Sequence, residues 1–295
     1  MVRSILFFLF FPLFVNAQGY FQQEVDYLIH VKLDDEKHIL RADETIKYKN
    51  NSSTTLDAIW FHLWPNGYKN DETEFAKQEL NNGSTKFRFS SEEERGYMDS
   101  LSFQVDGIPV QLVYDPIHCD IARVILNKPL APGESIRITT PFQVKIPSSD
   151  FSRLGHSGQQ YQLCQWFPKP AVFDQKGWHP MPYLNQGEFY SEFGSFEVHI
   201  SLPSNYVVAA SGELQPNPEE EAFIARNIEA SEKITTSVKS EFIPSSATVK
   251  TVVYKLADVH DFAWFADKNY HIKKSEVQLK RSGRKVDTYI YFGDK

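Results

Sequence analysis

Two stretches of strict two-residue alternation constrain this chain more than any other feature. Tyr27, Ile29, Val31 and Leu33 alternate with Leu28, His30 and Lys32, and Phe196, Val198, Ile200 and Leu202 alternate with Glu197, His199 and Ser201. A period of two fits an extended chain with one face on a core and the other in solvent. Val286, Thr288, Ile290 and Phe292 repeat the pattern. Phe103 to Val105 and Ile108 to Val113 flank Asp106-Gly107, a pair suited to the positive φ angles of a tight hairpin. Pro132-Gly133 separates Val124-Ile125-Leu126 from Ile136-Arg137-Ile138 and reads as a similar turn. Aromatic residues make up 14% of the chain, which favours strands further. The expected fold is therefore mainly β.

Helix signals are few. Glu72 to Leu80 has room for two turns. Asn217-Pro218 followed by three glutamates places a cap, a first-turn proline and acidic residues at a helix start, with Phe223, Ile224 and Ile228 as a narrow apolar face. Ser231 to Ser246, rich in Ser and Thr, reads as further β structure with loops. The segment from Trp166 to Gly194 differs in kind. Its prolines at 168, 170, 180 and 182 deny ladder donors, so it reads as a long aromatic-rich loop system and not a central strand. Such a segment either plugs one end of a sandwich or carries function.

Hydrophobic residues at 41% and charged residues at 23% describe a globular chain, and exclude a disordered tail or a polytopic membrane protein. The net charge of -7 argues against a nucleic-acid partner. Met1-Val2-Arg3, the apolar run from Ile5 to Val15 and the small residues of Val15-Asn16-Ala17 form a signal-peptide pattern. That run is too short for a transmembrane helix. Residues 1–17 are thus expected to be removed, leaving a secreted, periplasmic or cell-surface protein. Cys119 and Cys164, the two cysteines, allow one bridge or two free thiols. Asn50, Asn51 and Asn82 each begin a glycosylation acceptor triplet.

Chemistry-bearing motifs are sparse. None of the nine histidines is followed by glutamate, so no H-E-x-x-H zinc helix exists, and there is no G-x-S-x-G elbow, P-loop or G-x-G-x-x-G. His118-Cys119-Asp120 is the densest set of possible ligands, but extended backbone would turn Cys119 away from its neighbours. Asp258, His260 and Asp261 read as a surface loop. Glu188 and Glu192 are the candidate carboxylate pair for glycosidase-type chemistry.

One family resemblance covers nearly the whole mature chain. Gln165-Trp166-Phe167-Pro168-Lys169-Pro170-Ala171-Val172-Phe173-Asp174, Gly177-Trp178-His179-Pro180, Gly187 to Gly194 and Tyr206 to Leu214 are similar to the N-terminal domain of bacterial M1-family zinc metallopeptidases, the aminopeptidase N-like gluzincins. Tyr27 to Lys49 with Ile59 to Asn66 resembles that domain's opening strands, and Val259 to Ala266 the entry to its catalytic domain. The resemblance implies a saddle-like β-sandwich with few short helices over 18–258. The incomplete start of a thermolysin-like domain would follow over 259–295. It implies a substrate-cleft-capping role in a secreted aminopeptidase that hydrolyses peptides from the free N-terminus. It also implies zinc in the intact enzyme and none in this chain, where neither H-E-x-x-H nor G-x-M-E-N occurs. By position, Gln165 first and Gln162 second match the family residue that helps hold the substrate amine, with Trp178, His179 and Tyr190 near the domain interface. The alternative is a stand-alone secreted β-sandwich that binds peptide or glycan through its 165–194 loops.

Overall fold

The computed structural model describes residues 20–187, 189–233 and 242–293. The expected signal peptide, residues 1–17, lies outside them, as does Glu188. Nine strands form the largest sheet. In spatial order they run Glu213–Leu214, Val249–Val259, Gly194–Pro203, Glu24–Asp34, Ile39–Lys49, Ser135–Lys145, Gln104–Val105 and Ile108–Pro109, with Tyr97–Asp99 also on Ser135–Lys145. Its one parallel pair joins the two alternating stretches, with Tyr27 opposite Phe196, Ile29 opposite Val198 and Val31 opposite Ile200.

That register puts both apolar sets on one face, and Val25 through Leu33 and Phe196 through Leu202 are at most 5% exposed at every second position. Each such side chain contributes about 1.5–3 kcal/mol of burial before chain entropy is counted, so this face anchors the fold. Two four-stranded sheets share its core. One is Lys169–Pro170, Leu56–His62, Ile121–Leu130 and Leu112–Tyr114; the other is Leu154–Ser157, Gln160–Leu163, Trp264–Asp267 and Val207–Ala210. Trp264–Asp267 therefore pairs on both sides within this body, and the expected division at 258/259 falls inside strand Val249–Val259.

Asp106 and Gly107 adopt φ of 50° and 81° and close the expected hairpin. Pro132-Gly133 does not close one. Ile121–Leu130 and Ser135–Lys145 lie in different sheets, because the turn is pinned to Asn50 instead. Gly133 N–H donates to the Asn50 carbonyl at 2.7 Å, and Asn50 N–H donates to the Glu134 carbonyl at 2.9 Å. The Asn50 side chain donates to the carbonyls of Thr54 and Leu130. Two chain crossings between sheets are thus locked at one corner. The same bonds bury Asn50 completely, which removes it as a glycosylation acceptor.

The described residues contain two α-helices, Glu74–Asn81 and Pro218–Glu232. The first starts after Thr73, whose hydroxyl accepts the Ala76 N–H, and the second after Asn217, whose side chain accepts the Glu220 N–H. Ser231 belongs to the second helix and not to β structure, since its hydroxyl donates back to the Asn227 carbonyl and accepts the Ile272 N–H. Residues 234–241 of that stretch lie outside the described residues. The chain then forms a two-stranded hairpin, His271–Gln278 with Lys285–Phe292. No described helix is long and apolar enough to cross a membrane.

Candidate functional site

The proline-rich segment is mostly a plug. Trp166, Phe167, Phe173 and Tyr183 are buried, while Tyr190 and Phe193 stay half-exposed. Lys169-Pro170 pairs only at an edge, against Phe61 and His62 of strand Leu56–His62, where proline's missing N–H does no harm. The segment ends at Gly194, where a Cβ would lie 1.6 Å from the Val25 carbonyl oxygen. Only glycine lets the chain enter the parallel pair there.

Beneath this plug sits a buried polar cluster. Lys169 is 1% exposed. Its Nζ lies 3.0 Å from Asp261 Oδ1 and donates to the His260 carbonyl at 3.2 Å. The rings of Trp64 and Phe167 face the same ammonium at 5.3 and 5.2 Å, close enough for cation–π attraction. Gln165, in the left-handed region at φ 51°, donates from Nε2 to Asp261 Oδ2 at 3.0 Å. Burial opposes the charge on Asp261, but the Lys169 ammonium and the Gln165 amide outweigh it and hold the carboxyl below its usual range.

Glu44 completes the surroundings. It occupies an inward position of strand Ile39–Lys49, in sequence with Leu40, Ile46 and Tyr48. Burial pushes its carboxyl well up, and the Lys169 charge offsets this only in part. Neither carboxyl oxygen has a hydrogen-bond partner among the described residues, and the same holds for Gln165 Oε1, Tyr48 Oη and His62 Nδ1. Burial and Lys169 press the His62 imidazole down to about 3, so it is neutral and accepts the Met181 N–H at Nε2, 3.0 Å away. One ammonium thus faces one carboxylate, with the Glu44 carboxyl, raised by burial, and a neutral imidazole near it.

Of the sequence-derived site residues, Gln165 enters this cluster and Gln162 does not. Gln162 lies on strand Gln160–Leu163 and spends its amide on the Ser152 and Ser149 carbonyls, 2.6 and 3.4 Å away. Asp261 is not the surface-loop residue expected, since the buried Lys169 draws it inward; Asp258 and His260 are exposed. Glu44, Lys169 and Asp261 escaped the sequence reading. The available signal was a carboxylate at an inward register position of an alternating strand.

The remaining candidates scatter. His118-Cys119-Asp120 is a turn, where Cys119 donates to the Asn66 carbonyl at 3.5 Å and Asp120 accepts the Tyr183 N–H at 2.6 Å. Cys119 and Cys164 are both free, and burial, with Asp261 adding to it, pushes the Cys164 thiol up to about 11. Glu192, 4% exposed, accepts the Phe173 N–H at 3.2 Å. Burial pushes its carboxyl up to about 7. Its proposed partner Glu188 is outside the described residues. His179 bonds Asp174 at 2.7 Å and stands edge-on to Tyr190. No group of three or more His, Cys, Asp or Glu side chains among the described residues fits a metal ion.

No protein-family model matches the sequence. The search of curated proteins likewise yields no match. Among solved structures, the chain is similar to a two-domain M1 zinc metallopeptidase variant bound to L-arginine, at 14% identity and a TM-score of 0.48, covering 92% of this chain and 48% of that one. It is similar to an M1 zinc metallopeptidase variant from Deinococcus radiodurans bound to a Tyr-Ser-Ala substrate, at 15% identity and a TM-score of 0.49, with the same 92% and 48% coverage. The unsubstituted Deinococcus radiodurans enzyme matches at 15% identity and a TM-score of 0.46, covering 92% of this chain and 47% of that one. The chain spans about half the length of the structures it matches.

Proposed function

We propose that this chain is the N-terminal β portion of a secreted M1-like zinc aminopeptidase, in which it closes one side of the peptide cleft. The observation that carries this reading is the Gln165–Asp261–Lys169 cluster. The two segments it joins, 165–174 and 259–266, are both family-like in sequence, and Gln165 and Asp261 are 96 residues apart. A hydrogen-bonded and ionic junction ties the two segments together. Asp261 fixes the Gln165 amide by its nitrogen, so Oε1 is left as the acceptor for a substrate ammonium.

The proposal includes export after removal of residues 1–17 and a division near residue 258. Hydrolysis and the zinc are assigned to a part of the protein other than these residues. The test is recovery of the native product with an antibody raised against residues 18–295, followed by peptide mapping and an aminoacyl-arylamide assay. The reading expects a larger species with an H-E-x-x-H peptide and aminopeptidase activity. In that species, Gln165→Ala should raise KM by about tenfold, the cost of one charge-assisted hydrogen bond, with kcat little changed. A native product of this chain's own mass, without that activity, overturns it.

One observation favours the stand-alone module. A recess of about 180 Å³ is lined by Tyr20, Phe173, Asp174, Tyr190 and Glu192, a mixture of aromatic faces and carboxyls suited to a polar ligand. The same native-mass measurement separates the two readings.

A further inference from the structure

The outer face of the large sheet carries a second arrangement, independent of the cluster beneath the plug. His30 and His199 are directly opposite each other on neighbouring parallel strands, both at solvent-facing positions. Their ring centroids are 4.5 Å apart and tilted by 44°. Each imidazole is held by its own carboxylate. His30 Nδ1 lies 2.9 Å from Asp43 Oδ2, and His199 Nε2 lies 2.9 Å from Glu197 Oε1. A carboxylate accepts and cannot donate, so each bonded nitrogen carries the proton. The lone pairs are then on His30 Nε2 and His199 Nδ1, and neither has a hydrogen-bond partner among the described residues.

This is the pattern of metal-binding histidines, in which one ring nitrogen donates to a carboxylate and the other ligates. The spacing agrees. With a metal–nitrogen bond of about 2.0–2.1 Å, a ring centroid lies about 3.2 Å from the ion, and two such rings at a right angle are about 4.5 Å apart. Beside His30 is an open recess of about 310 Å³ lined by His30, Lys32, Arg41, Asp43 and Ser201; His199 is not among its lining residues. Arg41 is already turned to Asp34 at 3.0 Å.

We propose that His30 and His199 form a surface site for a borderline divalent transition-metal ion, copper(II) above zinc(II) by the usual affinity order. Asp43 and Glu197 act as positioning residues that fix the two tautomers. The site does not depend on the peptidase reading, because it lies on the opposite face of the sheet and supplies no hydrolytic group.

The test is titration of the full chain with copper(II) at pH 7.5, followed by calorimetry and pulsed EPR. The expected result is one tight equivalent whose EPR modulation shows two imidazoles. His30→Ala and His199→Ala should each weaken that equivalent by at least tenfold and leave one imidazole or none. Asp43→Asn and Glu197→Gln should weaken it by about tenfold while both imidazoles remain, the signature of a lost orienting partner. His118→Ala is the control and should change nothing. Because His30 and Asp43 are exposed and His199 is partly so, thermal unfolding should confirm that the variants fold. An unchanged titration in the His30→Ala/His199→Ala double variant would overturn the site, as would an EPR signal without two coupled imidazoles in the native chain.

Discussion

Lys169 Nζ and Asp261 Oδ1 meet at 3.0 Å with side chains only 2% and 18% exposed, so this ion pair is a buried one. It joins an edge pair of the proline-rich segment to the turn before strand Trp264–Asp267. A buried pair is costly to form and far more costly to break, because the surviving charge has no solvent to turn to.

Lys169→Met should therefore cost about 3–5 kcal/mol in urea unfolding, since it strands the Asp261 carboxylate. The double variant Lys169→Met/Asp261→Leu should be more stable than Lys169→Met alone. A double variant that loses the sum of both single effects would show that the two side chains act independently.

Glu192 makes folding stability depend on pH in the neutral range. Burial is the main cause that raises its carboxyl from 4.5 to about 7, against the opposing bond from the Phe173 N–H. A raised folded-state value means that the native chain holds the proton more tightly than the unfolded one. The resulting stabilisation is complete below pH 4.5, falls as pH rises toward 7, and is absent above it. Glu44, raised by burial, adds a loss of the same sign. In melting curves from pH 5 to pH 8, Glu192→Gln should flatten part of the decline whatever its effect on absolute stability. Parallel curves for the two proteins would refute this assignment.

The strands were legible because alternation reports which face of a strand is buried. It does not report the partner strand. Asp106-Gly107 and Pro132-Gly133 look alike in sequence, yet only the first closes a hairpin, since the clamp on the second comes from Asn50, far away in the chain. The second helix's start was legible through Asn217 because caps are local, whereas the sequence reading of Glu72 to Leu80 did not name its cap, Thr73. The polar cluster was not, because it is assembled from three separate segments. Gln165 was found through its family-like neighbours, whereas Glu44 needed only the observation that a carboxylate interrupts the buried set Leu40, Ile46 and Tyr48. Lys169 lies between prolines in the family-like stretch, and nothing local places Asp261 beside it.

Gly194→Ala should be among the most damaging single-methyl changes in the chain. The added carbon would meet the Val25 carbonyl oxygen at 1.6 Å, which is backbone and cannot step aside without opening the parallel pair. The expected loss exceeds about 3 kcal/mol, the upper end of ordinary overpacking. Gly133→Ala is the matched control: its φ is 80°, but an added Cβ meets nothing within 4 Å. That substitution should cost about 1 kcal/mol, from backbone conformation alone. Chemical denaturation of the two variants compares steric clash with φ strain directly, and equal losses would refute the clash.

The C-terminal hairpin exposes apolar surface that the rest of the described chain does not cover. Ile290 is 59% exposed and Val277 49%, and they lie on one face of the two-stranded sheet with Val286. A two-stranded ribbon with free edges and an apolar face is a template for pairing with another chain. Ile290→Lys should therefore reduce concentration-dependent self-association, measured by light scattering or sedimentation, while the melting temperature shifts by no more than about 2 °C, as for an exposed substitution in a chain of this size. The opposite pattern, unchanged association with a large loss of stability, would mean that Ile290 packs against the body in solution and that the hairpin face is not free.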